Sequence, residues 1–98
     1  MLHHIVATIR IADDVDAPKK NGVRSGYSPH HKFESVDHLV SGVHTYANDH
    51  LHYPGETLET RISYPSWEYF KDAVKVGDSF DVLELDRLVG YGKVDRIL

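Results

Sequence analysis

Three observations in the sequence predict a small all-β domain, a barrel or a sandwich. Two stretches alternate apolar and polar side chains with a period of two, turn-forming residues recur every ten or so positions, and the C-terminal region is a β-rich run broken once. The chain has 98 residues, 41% apolar and 27% charged, a size expected to form one domain over residues 1–98.

The elements follow in order. Leu2 to Ala12 reads as a strand: Ile5, Ala7, Ile9 and Ile11 share one parity, Thr8 and Arg10 the other, and Val6 is the apolar exception on the outer face. Asp13 to Gly22 (DDVDAPKKNG) is a charged loop rich in turn formers. The middle supports two readings. Val36, Leu39, Val40 and Val43 fall at helical spacing, with Ser35 placed to cap; Gly42 and the β-branched valines fit strands of about Lys32 to Val40 and Val43 to Asn48. Pro54-Gly55 sets a turn. Leu58 to Tyr64 alternates cleanly, with Leu58, Thr60, Ile62 and Tyr64 opposed by Glu59, Arg61 and Ser63. Ser66 to Val74 is expected to form a short helix, capped by Ser66, whose Trp67 and Phe70 cover the end of a sheet. After a turn at Gly77-Asp78, Phe80 to Leu85 and Leu88 to Leu98 read as a hairpin joined at Asp86-Arg87. Gly90 and Gly92 share one face, which predicts close backbone approach there.

Composition excludes several function classes. With no cysteine, disulfide scaffolds, thiol nucleophiles and thiolate metal centres are ruled out. Eleven Lys and Arg against 15 Asp and Glu give a net charge of −4, so no general basic coat for nucleic acid exists and any such contact must be local. The first eleven residues have neither the apolar run of a signal peptide nor the length of a membrane span; a cytoplasmic protein without membrane contact is expected.

A search for catalytic chemistry yields little. Eight histidines (His3, His4, His30, His31, His38, His44, His50 and His52) stand out, and on a strand His50 and His52 would project to one face, as two imidazole ligands of one ion would. No H-E-x-x-H motif or calcium loop accompanies them, so surface or turn histidines are the simpler reading and no metal is assigned. Ser25, Ser28 and Ser41 lack a nucleophile elbow. Glu56 and Glu59, and Asp13, Asp14 and Asp16, read as surface charge. Gly90-Tyr91-Gly92-Lys93 is not a phosphate loop, because Arg87 stands where that motif needs glycine. No catalytic residue, nucleotide or cofactor is therefore expected.

One segment rises above this background. Ala17 to Phe33 contains Lys19, Lys20, Arg24 and Lys32 with His30 and His31, and no carboxylate. Such a local cluster suits an anionic partner, with Tyr27 or Phe33 offering a stacking ring. The candidate binding residues are Lys19, Lys20, Arg24, Tyr27, His30, His31 and Lys32; Phe33 could equally be core.

Three motifs, in order, carry a resemblance. Ser25-Gly26-Tyr27-Ser28-Pro29 is similar to x-G-Y-R-P, and Tyr53-Pro54-Gly55-Glu56 to M-P-G-D. Phe80 to Glu84 followed by Arg87 to Val94 is similar to F-x-[IV]-R-E-G-G-R-T-V-G-x-G-V-V. With the opening strand they span nearly the whole chain, and together they resemble the C-terminal β-barrel, the third domain, of elongation factor Tu and related translation GTPases. The resemblance implies a six-stranded, closed antiparallel barrel, whose relatives contact a GTPase domain, the T-arm of aminoacyl-tRNA and a nucleotide-exchange factor. The chain lacks the nucleotide-binding domain and second barrel of those relatives, so GTP hydrolysis is not expected. It also departs from them within the motifs: Lys19 to Arg24 replaces G-G-R-H-T-P, Ser28 replaces the arginine of G-Y-R-P, and Leu85-Asp86 replaces a Gly-Gly turn. The Ser66 to Val74 segment is longer than its counterpart.

The expected function is a non-enzymatic binding module contacting RNA, tRNA or a translation-related protein. Two alternatives stand beside it: a protein-interaction module such as an immunity or regulatory partner using the acidic surface, and a small histidine-dependent metal enzyme.

Overall fold

The computed structural model describes residues 2–98. Seven strands form one antiparallel sheet: β1 (Ile5–Ile11), β2 (His30–Phe33), β3 (Val40–Ser41), β4 (Val43–Thr45), β5 (Thr57–Ser63), β6 (Ser79–Glu84) and β7 (Arg87–Ile97), in the order β3-β2-β6-β7-β1-β5-β4. The two outermost strands are consecutive in sequence, joined by Gly42 alone. One short stretch of chain thus supplies both edges, and the sheet wraps into a nearly closed barrel. The two sheet edges thereby meet at one seam. Backbone bonds from Gly42 to Pro29, from His44 to Tyr27 and from Gly26 to His44 tie this seam to the segment that precedes β2.

The all-β expectation holds, with seven strands in place of six. The additional strand arises at Gly42, where the chain turns a corner and splits one segment into β3 and β4. A Cβ at Gly42 would lie 2.8 Å from the His31 ring and 3.0 Å from the Tyr64 ring, so the corner can pass this close only without a side chain. The helical reading of the middle does not hold. His31 and Phe33 alternate inward on β2, residues 34–38 are turn and bend, and the Ser35 hydroxyl donates to the Ala73 carbonyl across the fold. The strand reading is right in kind, but the strands are shorter and displaced.

The core is lined by inward residues of the long strands, among them Ile5, Ile9, Ile62, Val82 and Val94, around Phe33, Tyr64 and Phe80. α1 (Trp67–Phe70), extended by a 3-10 turn over Lys71–Ala73, plugs one end with Trp67 and Phe70 buried, as expected, although the Ser66 side chain makes no cap bond. Val6 is buried although it keeps the outer parity of β1: Ile5, Ala7 and Ile9 belong to the core cluster and Val6 does not, lying between Arg61 of β5 and Arg96 of β7. Between Val6 and Ala7 the register against β7 slips by one residue, since Val6 faces Arg96 and Ala7 faces Val94, which places the extra residue, Asp95, on β7. The β6–β7 hairpin closes at Leu85-Asp86, one residue earlier than expected, with Glu84 opposite Arg87 and Leu85 at a φ of 55°. Gly92 behaves as predicted: a Cβ there would lie 2.2 Å from the Phe80 ring.

No helix among the described residues is long and apolar enough to cross a membrane.

Candidate functional site

The basic segment does not act as one surface, because the fold sends its residues in different directions. Lys19 lies 2.7 Å from the carboxylate of Glu84 and 5.6 Å from the centre of the Tyr27 ring. The Tyr27 hydroxyl donates to the same carboxylate. Arg87 completes the cluster, 3.5 Å from Glu84, while its guanidinium donates to the carbonyls of Ala17 and Pro18. Burial works to raise the Glu84 pKa, but hydrogen bonds from Lys19 and Tyr27 and the nearby cations outweigh it and hold the carboxyl below the usual range. Burial, and then the bond to Glu84, pushes the Tyr27 phenol up. Lys19 therefore fastens the 13–22 loop, and Tyr27 the segment before β2, to the β6–β7 hairpin. The segment holds no carboxylate of its own; the hairpin brings one to it.

His31 is fully buried, which removes it from any contact surface, and Phe33 is core. The alternation of β2 places both inward while Lys32 faces out, opposite Asp81 of β6. His30 is half-buried at the start of β2.

His31 belongs instead to a buried relay that sequence spacing did not reveal. Tyr64 Oη lies 2.7 Å from His31 Nδ1, His31 Nε2 lies 2.8 Å from His44 Nε2, and His44 Nδ1 lies 2.9 Å from Tyr46 Oη. Four neutral groups share four protons over three bonds, so one hydroxyl proton is left at an end of the chain. Tyr46, 6% exposed against 1% for Tyr64, is the better place for it. Tyr64 then donates to His31, His31 Nε2–H donates to His44, and His44 Nδ1–H donates to Tyr46. Burial drives His44 down to about 3 and, with the neighbouring imidazoles, drives His31 well below its ordinary value. Both rings are uncharged near neutral pH.

The remaining cations meet a different partner. Val23 and His52 exchange both backbone hydrogen bonds at 2.8 Å, so residues 22–24 and 51–53 run antiparallel as a two-stranded ribbon. Alternation turns Val23 and His52 inward and leaves Arg24, Leu51 and Tyr53 exposed. The pairing sets Arg24 opposite Leu51, and a Cβ at Gly22 would lie 3.1 Å from the Tyr53 ring. Lys20 is exposed in the turn leading into the ribbon. Arg24, Asp49, His50, Leu51 and Tyr53 line an open groove of about 510 Å³. The ribbon is anchored from below: His52 bonds Glu56 and Asn48, and Glu56 also accepts the Tyr53 amide. Those bonds, that of His52 first, hold the Glu56 carboxyl below its ordinary value. Glu56 is therefore a structural acceptor as well as surface charge.

His50 and His52 do not share a face. Residues 47–50 bend, His52 alone makes the bridge, and His50 is exposed. Among the described residues, no three His, Asp or Glu side chains converge as metal ligands would. Ser25 Oγ accepts the Tyr46 amide.

Sequence reasoning found Lys20 and Arg24 but missed Leu51 and Tyr53, because only the single Val23–His52 bridge brings the two segments together. The chain matches no protein-family model, and comparison with curated proteins gives no match.

Proposed function

We propose that this chain is a non-enzymatic binding module whose contact surface is the ribbon of Lys20, Arg24, His50, Leu51 and Tyr53, and that its ligand is single-stranded RNA. The observation that carries this reading is the antiparallel pairing at Val23 and His52, which sets the exposed Arg24 guanidinium and the exposed Tyr53 ring along one groove. Cations following the phosphates with a ring on which a base can stack are the two ingredients of sequence-tolerant single-strand binding. The resemblance to the translation-GTPase barrel, whose relatives contact tRNA, points the same way. The side chains that catalysis could have used are spent on structure: His31 and His44 on the relay, His52 and Glu56 on the ribbon's support, Ser25 on a backbone bond.

The test is a fluorescence-anisotropy titration with a labelled single-stranded oligonucleotide at several salt concentrations. Wild-type binding should weaken with salt; Lys20→Ser with Arg24→Ser should weaken it further and reduce the logarithmic salt slope by about 0.7 for each phosphate contact removed. Tyr53→Ala should lower affinity by about 5- to 150-fold, the equivalent of one stacked base, without changing that slope. RNA binding that ignores all three substitutions, or no binding at low salt, refutes the proposal.

A further inference from the structure

The structure points to an acid-operated latch: we propose that two protons taken up by the His31–His44 pair open the barrel seam at β3 and β4 and release the ribbon that carries Arg24 and Tyr53. The release of a ligand rests on the RNA reading above; the latch itself does not.

Proton counting on the relay carries the inference. In the neutral chain every ring nitrogen has a partner. One added proton makes both nitrogens of His31 donors, which turns its bond with Tyr64 around and leaves the buried Tyr64 hydroxyl hydrogen without an acceptor. A second puts hydrogens on both Nε2 atoms, which face one another at 2.8 Å, and two donors cannot share that contact. The surroundings offer no relief. His31 is packed by Phe33 of β2, Phe80 of β6, Tyr64 just beyond β5 and His44 of β4, and its neighbour His30 adds only like charge; His44 is packed by Tyr27 and Tyr46. The carboxylates next in line are Glu84, reached only through the Tyr27 hydroxyl, and Glu56, reached only through His52 beyond Tyr46. A charge on the pair is thus buried without a counter-ion, which is costly.

The break falls at the seam because the seam has the least backbone holding it. β3 and β4 are two and three residues long, whereas β1 and β7 have seven and eleven. Tyr46 links the relay to the ribbon: it accepts from His44, its ring packs with Val23, and its edge meets His52 at 5.4 Å.

Native-state hydrogen exchange from pH 7 to pH 5 tests the latch without any ligand. After correction for intrinsic rates, the amides of Gly26, Gly42 and His44, and with them Val23 and His52, should open about 100-fold more for each pH unit below about 6, the signature of two protons. Amides of the β1–β7 ladder should stay closed at the same pH. His44→Gln should reduce the dependence to about tenfold or less; if that variant does not fold, the wild-type dependence decides alone. A flat profile at the seam, equal opening of the β1–β7 ladder, or an unmoved Val23 and His52 overturns the proposal. With RNA present, affinity should fall towards pH 5 at fixed salt. Failure to bind RNA at pH 7 would refute the ribbon's assigned ligand while leaving the exchange profile to decide the latch.

Discussion

Replacing Tyr64 by Phe removes one oxygen atom from the buried relay and little else. The ring keeps its stack on Trp67 at 5.7 Å and its edge contacts with Phe70 and Phe33. What changes is His31 Nδ1, which loses its 2.7 Å partner inside a residue that is 0% exposed. Turning the relay round does not help, because an N–H then replaces a lone pair as the orphan. An unsatisfied buried polar group costs about 1–3 kcal/mol, which for a domain of this length lowers Tm by roughly 5–20 °C. The single tryptophan, stacked on residue 64, reports unfolding directly. Urea titration followed by Trp67 fluorescence should show a lower midpoint with an unchanged slope, since no surface is newly exposed in either end state. Tyr69→Phe is the control, because that ring is 89% exposed and its loss should be neutral. A Tyr64→Phe protein as stable as wild type within about 0.5 kcal/mol would show that the hydroxyl does not terminate the relay, and the assigned proton order would fall with it.

Other consequences are measurable with the same tools. Stability should depend steeply on acid: both histidines bind their protons near pH 6.5 when unfolded but far lower when folded, so their stabilisation is complete above pH 6.5 and fades as pH falls towards the folded value of about 3 for His44. The slope below pH 6 is about 2.7 kcal/mol per pH unit for two protons; a slope below about 1 in urea titrations at pH 6 and pH 5 would contradict the buried neutral pair. Gly92→Ala should destabilise by about 1–3 kcal/mol or prevent folding, since the methyl would overlap Phe80, and a neutral result in thermal melts would contradict that packing. Glu84→Gln should change stability by no more than about 1 kcal/mol, its ion pairs being partly exposed, yet raise RNA affinity a few-fold by freeing Lys19; weaker binding in the anisotropy titration would count against the ribbon. Lys32→Ser, on the outer face of β2 opposite Asp81, should leave that titration unchanged.

The long strands were legible because their pattern is local. β1 and β5 alternate along most of their seven residues, broken by the buried Val6 and Ser63, and neither needs a distant partner to reveal which face enters the core. Gly90 and Gly92 announced close approach correctly, as Trp67 and Phe70 announced a plug. The seam was illegible for the opposite reason. β3 and β4 are too short to show a period, and the valines at 36, 40 and 43 fit helical spacing by accident while three tertiary constraints at Gly42, His31 and Tyr64 decide the outcome. The binding residues divide in the same way. Lys20 and Arg24 were found as charges in a run, but the spacing that sends His31 inward and Lys32 outward was visible only once β2 had a register. Nothing in the sequence couples Lys19 and Tyr27 to Glu84, which lies 57 residues from Tyr27.

The histidine content takes on meaning once the rings are sorted by what they face. At neutral pH an imidazole is the one side chain that carries a donor and an acceptor on opposite sides of a flat ring. It can therefore pass a hydrogen bond through the core from one edge of the ring to the other. Two such rings between two tyrosines span from the chain just beyond β5 to the chain just beyond β4, across the corner where backbone pairing is shortest. Side chains here supply what two- and three-residue strands cannot. An apolar set of rings could fill the same volume at little cost in stability, but it would hold the corner equally at every pH, whereas the imidazole pair holds it only while each ring keeps a single proton.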